Sequence, residues 1–286
     1  MDIIDPHLHL FNLKQGQYDW LQPSNPPFWP DKNKINQSFS QQDISLAPTN
    51  KLAGFVHIEA GFDNTRPWRE VDWLEQHCTL PFKSVAGGDL SNENFPSTLA
   101  KLQTRVSVIG LRHILDDDAK TLLSNAIFQQ NLSLLAEHQL SFDAQFSLQD
   151  EWATQALCNI LDNLPQLRVI INHAGWPPKL EQSNEWQQWN KHLNKLARYP
   201  NVAIKLSAWE MQNRAYTPAD MLPSLSTCLQ AMGDKRVMLA SNFPLTLFSC
   251  AYSELWQIYT QKLGLSQSFK SLLLHDNSAF WYRFND

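Results

Sequence analysis

No run of basic residues occurs anywhere in the 286-residue chain, and the formal net charge is −5. A nucleic-acid binder carries a basic footprint, so nucleic acid is not expected as a partner, and neither is an anionic membrane surface. No apolar stretch approaches the ~20 residues that a membrane span needs. The N-terminus has no basic region followed by an apolar segment, so no secretory signal is read and a cytoplasmic protein is expected. No GxGxxG or GxxxxGK[ST] stretch is present, which disfavours dinucleotide and P-loop nucleotide binding. The four cysteines, Cys78, Cys158, Cys228 and Cys250, form no CxxC pair and read as buried thiols. Low-complexity segments, sequence repeats and linkers are also missing, and one domain over 1–286 is the simpler reading.

Aromatic and imidazole groups, by contrast, are present in telling places. The chain opens on Asp5-Pro6-His7-Leu8-His9, at the end of the apolar run begun by Ile3-Ile4. In a strand, side chains alternate faces, so His7 and His9 share one. Two imidazoles so placed can hold one metal ion or polarise one substrate oxygen. Eleven tryptophans is a high count for this length. Trp20, Trp29, Trp176 and Trp209 fall outside periodic segments, which suits either a flat-walled cleft or loops sealed against the core.

Short β-like runs recur at 3–9, 53–60, 83–90, 106–115, 140–146, 167–173, 202–207 and 236–242. Helical patterns follow at 66–79, 96–105, 126–139, 150–164, 184–198 and 218–232, with two more at 249–263 and 266–280. The seven strand-to-strand steps are each about the size of a βαβ unit. Strand–helix alternation implies a parallel sheet, and eight repeats in this length match a closed (β/α)8 TIM barrel. Residues 11–50, rich in Pro, Asn, Gln and Ser, form a long irregular β1–α1 loop with a short helix expected near 41–46.

A barrel of this kind places its active site at the C-terminal strand ends. The polar residues there are His7 and His9 on strand one, His57 and Glu59 on strand two, and Arg112 and His113 on strand four. Strand five offers Asp143 and Gln145, strand six His173, strand seven Lys205, and strand eight Ser241-Asn242. Each has a bland alternative as a satisfied core residue. Their convergence on one rim is what points to a site.

The stretches Asp5-Pro-His-Leu-His, Gly54-Phe-Val-His-Ile-Glu-Ala, Gly110-Leu-Arg-His-Ile-Leu, Val169-Ile-Ile-Asn-His-Ala-Gly, Val202-Ala-Ile-Lys-Leu-Ser, Ser241-Asn-Phe-Pro and Asn277-Ser-Ala-Phe-Trp-Tyr-Arg-Phe, taken in order, resemble the amidohydrolase-related ("amidohydrolase 2") family. Within it they resemble the branch of sugar-acid lactonases and 2-pyrone-4,6-dicarboxylate hydrolases. The resemblance implies a (β/α)8 barrel that hydrolyses a lactone or related carbonyl compound. It makes His7 and His9 the strand-one pair, His173 the strand-six histidine and position 242 the strand-eight catalytic position, with Lys205, Arg112 and His113 helping to hold the substrate; the strand-end positions add His57, Glu59 and Asp143 as candidate substrate contacts, and the loop position adds Trp176. Some relatives hold one divalent ion, Zn or Mn, for which His7, His9 and His173 would be the ligands, and others work without metal.

One position departs from the pattern. The family's strand-eight motif ends Ser-Asp-Trp-Pro, its aspartate serving as proton acceptor, and here the corresponding residue is Asn242. An amide cannot take a proton from water. The base would then be His173, His113 or a metal-bound hydroxide. Arg112 and Lys205, as two cations, suggest an acidic or polyhydroxylated small molecule. Two other readings remain open: a catalytically silent relative that binds a sugar acid or aromatic acid, and a metal-dependent decarboxylase. The oligomeric state is open, a homodimer being the assembly considered.

Overall fold

Eight short strands pair side by side in sequence order, every neighbouring pair parallel. The computed structural model describes residues 1–284. The strands are β1 (Asp2–Leu8), β2 (Lys51–Ile58), β3 (Phe82–Gly87), β4 (Val108–Ile114), β5 (Ser141–Gln145), β6 (Val169–Ile171), β7 (Val202–Leu206) and β8 (Val237–Leu239). Helices separate them, from α1 (Trp68–His77) onward, as the expected (β/α)8 barrel requires. Strands buried on both faces read as near-continuous apolar runs, which is why Val-Ile-Ile of β6 and Val-Met-Leu of β8 were visible. β1 and β2 have the expected lengths, shifted one or two residues toward the N-terminus, and the other six are shorter, in β6 and β8 because the chain leaves the ladder before His173 and Asn242.

The barrel interior is built in two layers. The lower is apolar: Val56, Ile58, Val85, Ile170 and Met238 meet Trp281 and Tyr282 from the C-terminal helix. That helix is fastened there by Asn277, which donates to the carbonyls of Asp234 and Val237, and by the Trp281 indole on Lys235. The two C-terminal helical stretches are each interrupted by a π-helical turn, at Ile258–Lys262 and Leu272–Asp276, where unbroken α-helices were expected. The upper layer is polar. Its centre is the buried ion pair of Lys205 and Asp143 (2.5 Å), with the Tyr282 hydroxyl also donating to Asp143.

Closure between β8 and β1 does not use a regular ladder. His9 N–H donates to the Phe243 carbonyl (2.6 Å) and Asn242 N–H to the His7 carbonyl (2.9 Å). Asp5 completes the seam. Its buried carboxylate accepts from the backbone N–H groups of His7 and Ser241, from the Ser241 hydroxyl and from the Tyr252 hydroxyl.

Residues 11–50 form an ordered flap with three single turns of 3-10 helix, at Asp19–Leu21, Lys32–Lys34 and Gln41–Asp43. The last of these is the short helix anticipated near 41–46, opened by a capping box of Ser40 and Asp43. Phe11 and Phe39 exchange backbone hydrogen bonds, and Phe39 lies edge-on to Phe243 (5.1 Å). The flap's outer limb folds around the buried Lys32, whose ammonium donates to the carbonyls of Trp20, Gln22 and Asn25. Trp20 and Trp209 therefore seal loops: their indoles donate to the Ala60 carbonyl and the Tyr259 hydroxyl.

Replacing Asp5 by alanine strands four donors in a dry seam, and each unsatisfied donor costs about 1–3 kcal/mol before relaxation. Urea unfolding of Asp5→Ala is expected to show a loss of roughly 3–4 kcal/mol. A loss under about 1 kcal/mol would mean that the seam holds without it.

Candidate active site

His7 and His9 leave β1 where its pairing with β2 shifts register, and this brings both rings to the barrel mouth. His173 follows β6 on a backbone bent into the left-handed region, with φ of 54° at His173, 53° at Ala174 and 56° at Trp176. Non-glycine residues resist that region, so the bend is strain held by the surrounding structure, a pattern that gathers at functional sites. It carries the His173 ring to 4.7 Å from that of His7, with Trp176 against its other side at 4.8 Å. His7 and His9 stand edge to face at 5.1 Å. Imidazoles from the first and sixth strands thus meet over one mouth.

All three rings are neutral at physiological pH. Burial is the largest cause pushing each far below the usual histidine value. Arg112 and Lys205 add to it for His7 and His173, and Arg112 and His57 for His9. Their hydrogen bonds then set the tautomers. His9 Nδ1 lies 2.8 Å from the Ile58 carbonyl, an acceptor only, so Nδ1 bears the hydrogen and Nε2 keeps its lone pair. His7 is the opposite. Its Nδ1 lies 3.2 Å from Lys205 Nζ. Burial pulls the lysine down, against the pull of Asp143, to about 8, so it is still an ammonium at neutrality and donates. His7 therefore carries its hydrogen on Nε2, a buried donor with no partner. His173 Nδ1 pairs with the Ser207 hydroxyl at 2.9 Å.

This donor set does not fit a divalent ion. A ligating imidazole must offer a lone pair, and His7 Nε2 offers a proton. Asn242 brings no negative charge to retain a cation. Among the described residues no group of three His, Cys, Asp or Glu side chains is arranged to hold a metal.

Several expected residues lie elsewhere or are already engaged. His57 sits between the inward-facing Val56 and Ile58, so it points outward. There its Nδ1 accepts from Leu10 N–H and its Nε2 meets Glu70 of α1 at 3.0 Å. It braces α1 against the chain after His9. His113 likewise alternates away from Arg112 and packs on Phe128 (5.4 Å), its Nδ1 accepting from Leu90 N–H. It is removed from the imidazole cluster and is not a candidate base there. Arg112 does face inward, but Glu59 takes it at 2.7 Å and Gln145 accepts from it at 3.1 Å. Lys205 is matched by Asp143. Both cations are therefore compensated, and neither stands ready for a substrate carboxylate.

Glu210 escaped the sequence reading. It lies in the short helix Trp209–Gln212 just beyond β7, entered through Ala208 at φ 61°. It is buried, one carboxylate oxygen accepting from Asn242 Nδ2 at 2.6 Å and the other without a partner. The signal was an acid four residues past Leu206, the last residue of β7, beyond the strand run to which the strand-end rule was applied.

Comparison with known proteins agrees with this architecture. A family model described as Amidohydrolase matches residues 4–284. The chain is 30% identical to an uncharacterised protein, y4mH, of Sinorhizobium fredii, covering 98% of each. It is 23% identical to an L-fucono-1,5-lactonase of Burkholderia ambifaria, covering 82% of this chain and 81% of that one. The crystal structure of an amidohydrolase from Burkholderia multivorans with bound zinc superposes with a TM-score of 0.82 at 20% identity, over 99% of both chains. Strand order, the imidazole cluster at the strand ends and the match over nearly the whole length lead to one conclusion: the chain belongs to the amidohydrolase family and is a hydrolase.

Proposed function

We propose that this protein opens the ring of a polyhydroxylated lactone by hydrolysis, without a metal. The observation that carries the reading is His7 Nε2–H, a buried donor with no partner, beside the lone pair of His9. A buried donor left open is costly unless a ligand completes it. A lactone carbonyl oxygen would do so, and the bond strengthens as that oxygen becomes an oxyanion. Lys205, held by Asp143, keeps the proton of His7 on the nitrogen that faces the substrate. His9 Nε2 accepts from a substrate hydroxyl or the attacking water.

Substrate class follows from the charges. A cavity of about 320 Å³ opens at the ends of β2 to β4, lined by Glu59, Asp63, Glu70, Asp89, Arg112 and His113; it meets the barrel mouth through the inward-facing Arg112 and its partner Glu59, and the three imidazoles are not part of its lining. Its guanidinium is taken by Glu59, Asp63 is paired with Arg66 and Arg69, and Glu70 is engaged by His57 and the Ala60 N–H, so the charge left facing the cavity is the half-exposed Asp89 carboxylate beside His113. Such a wall repels a dicarboxylate and accepts hydroxyl donors, which favours a neutral aldonolactone over a pyrone dicarboxylate. The relative named L-fucono-1,5-lactonase supports the same class.

A panel of aldonolactones, with a pyrone dicarboxylate beside them, is expected to show turnover on at least one sugar lactone and none on the dicarboxylate. Ligand-induced thermal shifts without turnover on any lactone would instead support a silent binding protein, the reading that Asn242 motivates. His7→Ala, which removes the oxyanion donor, should lower kcat by about 10²–10³-fold. Protein purified without chelator is expected to hold far less than one equivalent of metal and to keep its rate in EDTA. A full equivalent of zinc and loss of activity on chelation would overturn the metal-free reading and reopen the decarboxylase.

A further inference from the structure

Asn242 puts an amide where a strand-eight aspartate would accept a proton, the Asp5 carboxylate of the same seam is already engaged by four donors, and burial lowers the proton affinity of the three imidazoles. Hydrolysis still needs a proton acceptor. Glu210 is the carboxylate in contact with Asn242, and its surroundings are unusual for a structural acid. A buried carboxylate kept for stability is normally paired with a cation. Arg214 is near enough to do this, yet its guanidinium goes to Asp31, to the backbone carbonyl of Glu210 and to the sulfur of Met211. One carboxylate oxygen of Glu210 is held by a neutral amide and the other by nothing. The strained backbone at Ala208, and again at Asn242 with φ 56°, delivers the two side chains to each other.

We propose that Glu210 is the general base of this site, a carboxylate relocated from strand eight to the turn after strand seven, with Asn242 holding it in place. The inference rests on the lactonase reading. Glu210 Oε2 takes a proton from water as the water oxygen bonds to the lactone carbonyl carbon. The same proton then passes to the ring oxygen as its bond to that carbon breaks, giving the open hydroxy acid. Lactone and one water are consumed, nothing is oxidised or reduced, and Glu210 ends as it began.

Glu210 also has the right acidity. Burial pushes its carboxyl up to about 7, opposed by the Asn242 hydrogen bond. Facing it are Asn242, which does not titrate, the Arg214 guanidinium, and the phenols of Tyr216 and Tyr259, both raised by burial far above neutrality. A limb near pH 7 is therefore assigned to Glu210.

The test is the pH profile of kcat/KM on the lactone that the wild type turns over. Wild type should rise with pH through about 7 as Glu210 ionises. Glu210→Gln, which keeps an acceptor for Asn242, should lose that limb and about 10²–10⁴-fold in kcat. Asn242→Asp sets a second carboxylate against the first, so the limb should move to higher pH. The double variant Glu210→Gln with Asn242→Asp returns a carboxylate to strand eight and should recover at least about 10-fold over Glu210→Gln, which a purely structural role would not produce.

Stability provides an independent readout. A raised carboxyl favours the folded state at low pH, and that advantage is lost as pH rises from the ordinary 4.5 through about 7. Glu210→Gln should thus melt above wild type beyond pH 7 and show no such gain below about 4.5. A Glu210→Gln enzyme with the wild-type limb and rate overturns the assignment while leaving the lactonase reading intact. Wild-type protein inactive on every lactone overturns both.

Discussion

The seam between β8 and β1 is the contact on which the rest of the molecule depends. Seven strand pairs form parallel ladders, two of them with register shifts, and the eighth junction is made by loop backbone and by Asp5. One carboxylate gathers four donors there. The same few bonds close the barrel, turn His7 and His9 to the mouth and bring Asn242 beside them. Fold and site share an element because the residues that would have extended β1 and β8 are spent on chemistry.

Below the mouth, the barrel interior solves an electrostatic problem. Lys205 and Asp143 are both removed from water, and a lone charge there would be expensive. Paired, and with Tyr282 donating to the same carboxylate, they form a chain that ends at His7. Its consequence is chemical as well as structural: the ammonium dictates which nitrogen of His7 holds the proton. The C-terminal helix belongs to the site in this indirect sense, since it supplies Tyr282 from the opposite end of the barrel. Glu59 on Arg112 repeats the arrangement across the mouth, and the resulting wall has no spare positive charge from either cation.

Much of this was legible from residues alone. Apolar runs at regular spacing exposed the eight strands and their parallel order. The period of two placed His7 and His9 together, and the strand-end rule found His173, Arg112, Asp143 and Lys205. The same period should have excluded His57 and His113, because Val56, Ile58 and Arg112 claim the inner face and their neighbours must point out. What could not be read was pairing. Two lysine or arginine codes look like two free cations until Asp143 and Glu59 are seen beside them. Glu210 was hidden for a different reason: its place depends on Ala208 adopting a left-handed conformation that no local pattern announces.

The central claim is that a dry cluster of neutral imidazoles, polarised by Lys205, takes the place of a metal centre. Nitrogen-15 NMR of the imidazole rings at neutral pH tests it most directly. The account predicts three neutral rings, with the hydrogen of His7 on Nε2 and that of His9 on Nδ1. A His7 found as the Nδ1–H tautomer with a bare Nε2, or as an imidazolium, would contradict it.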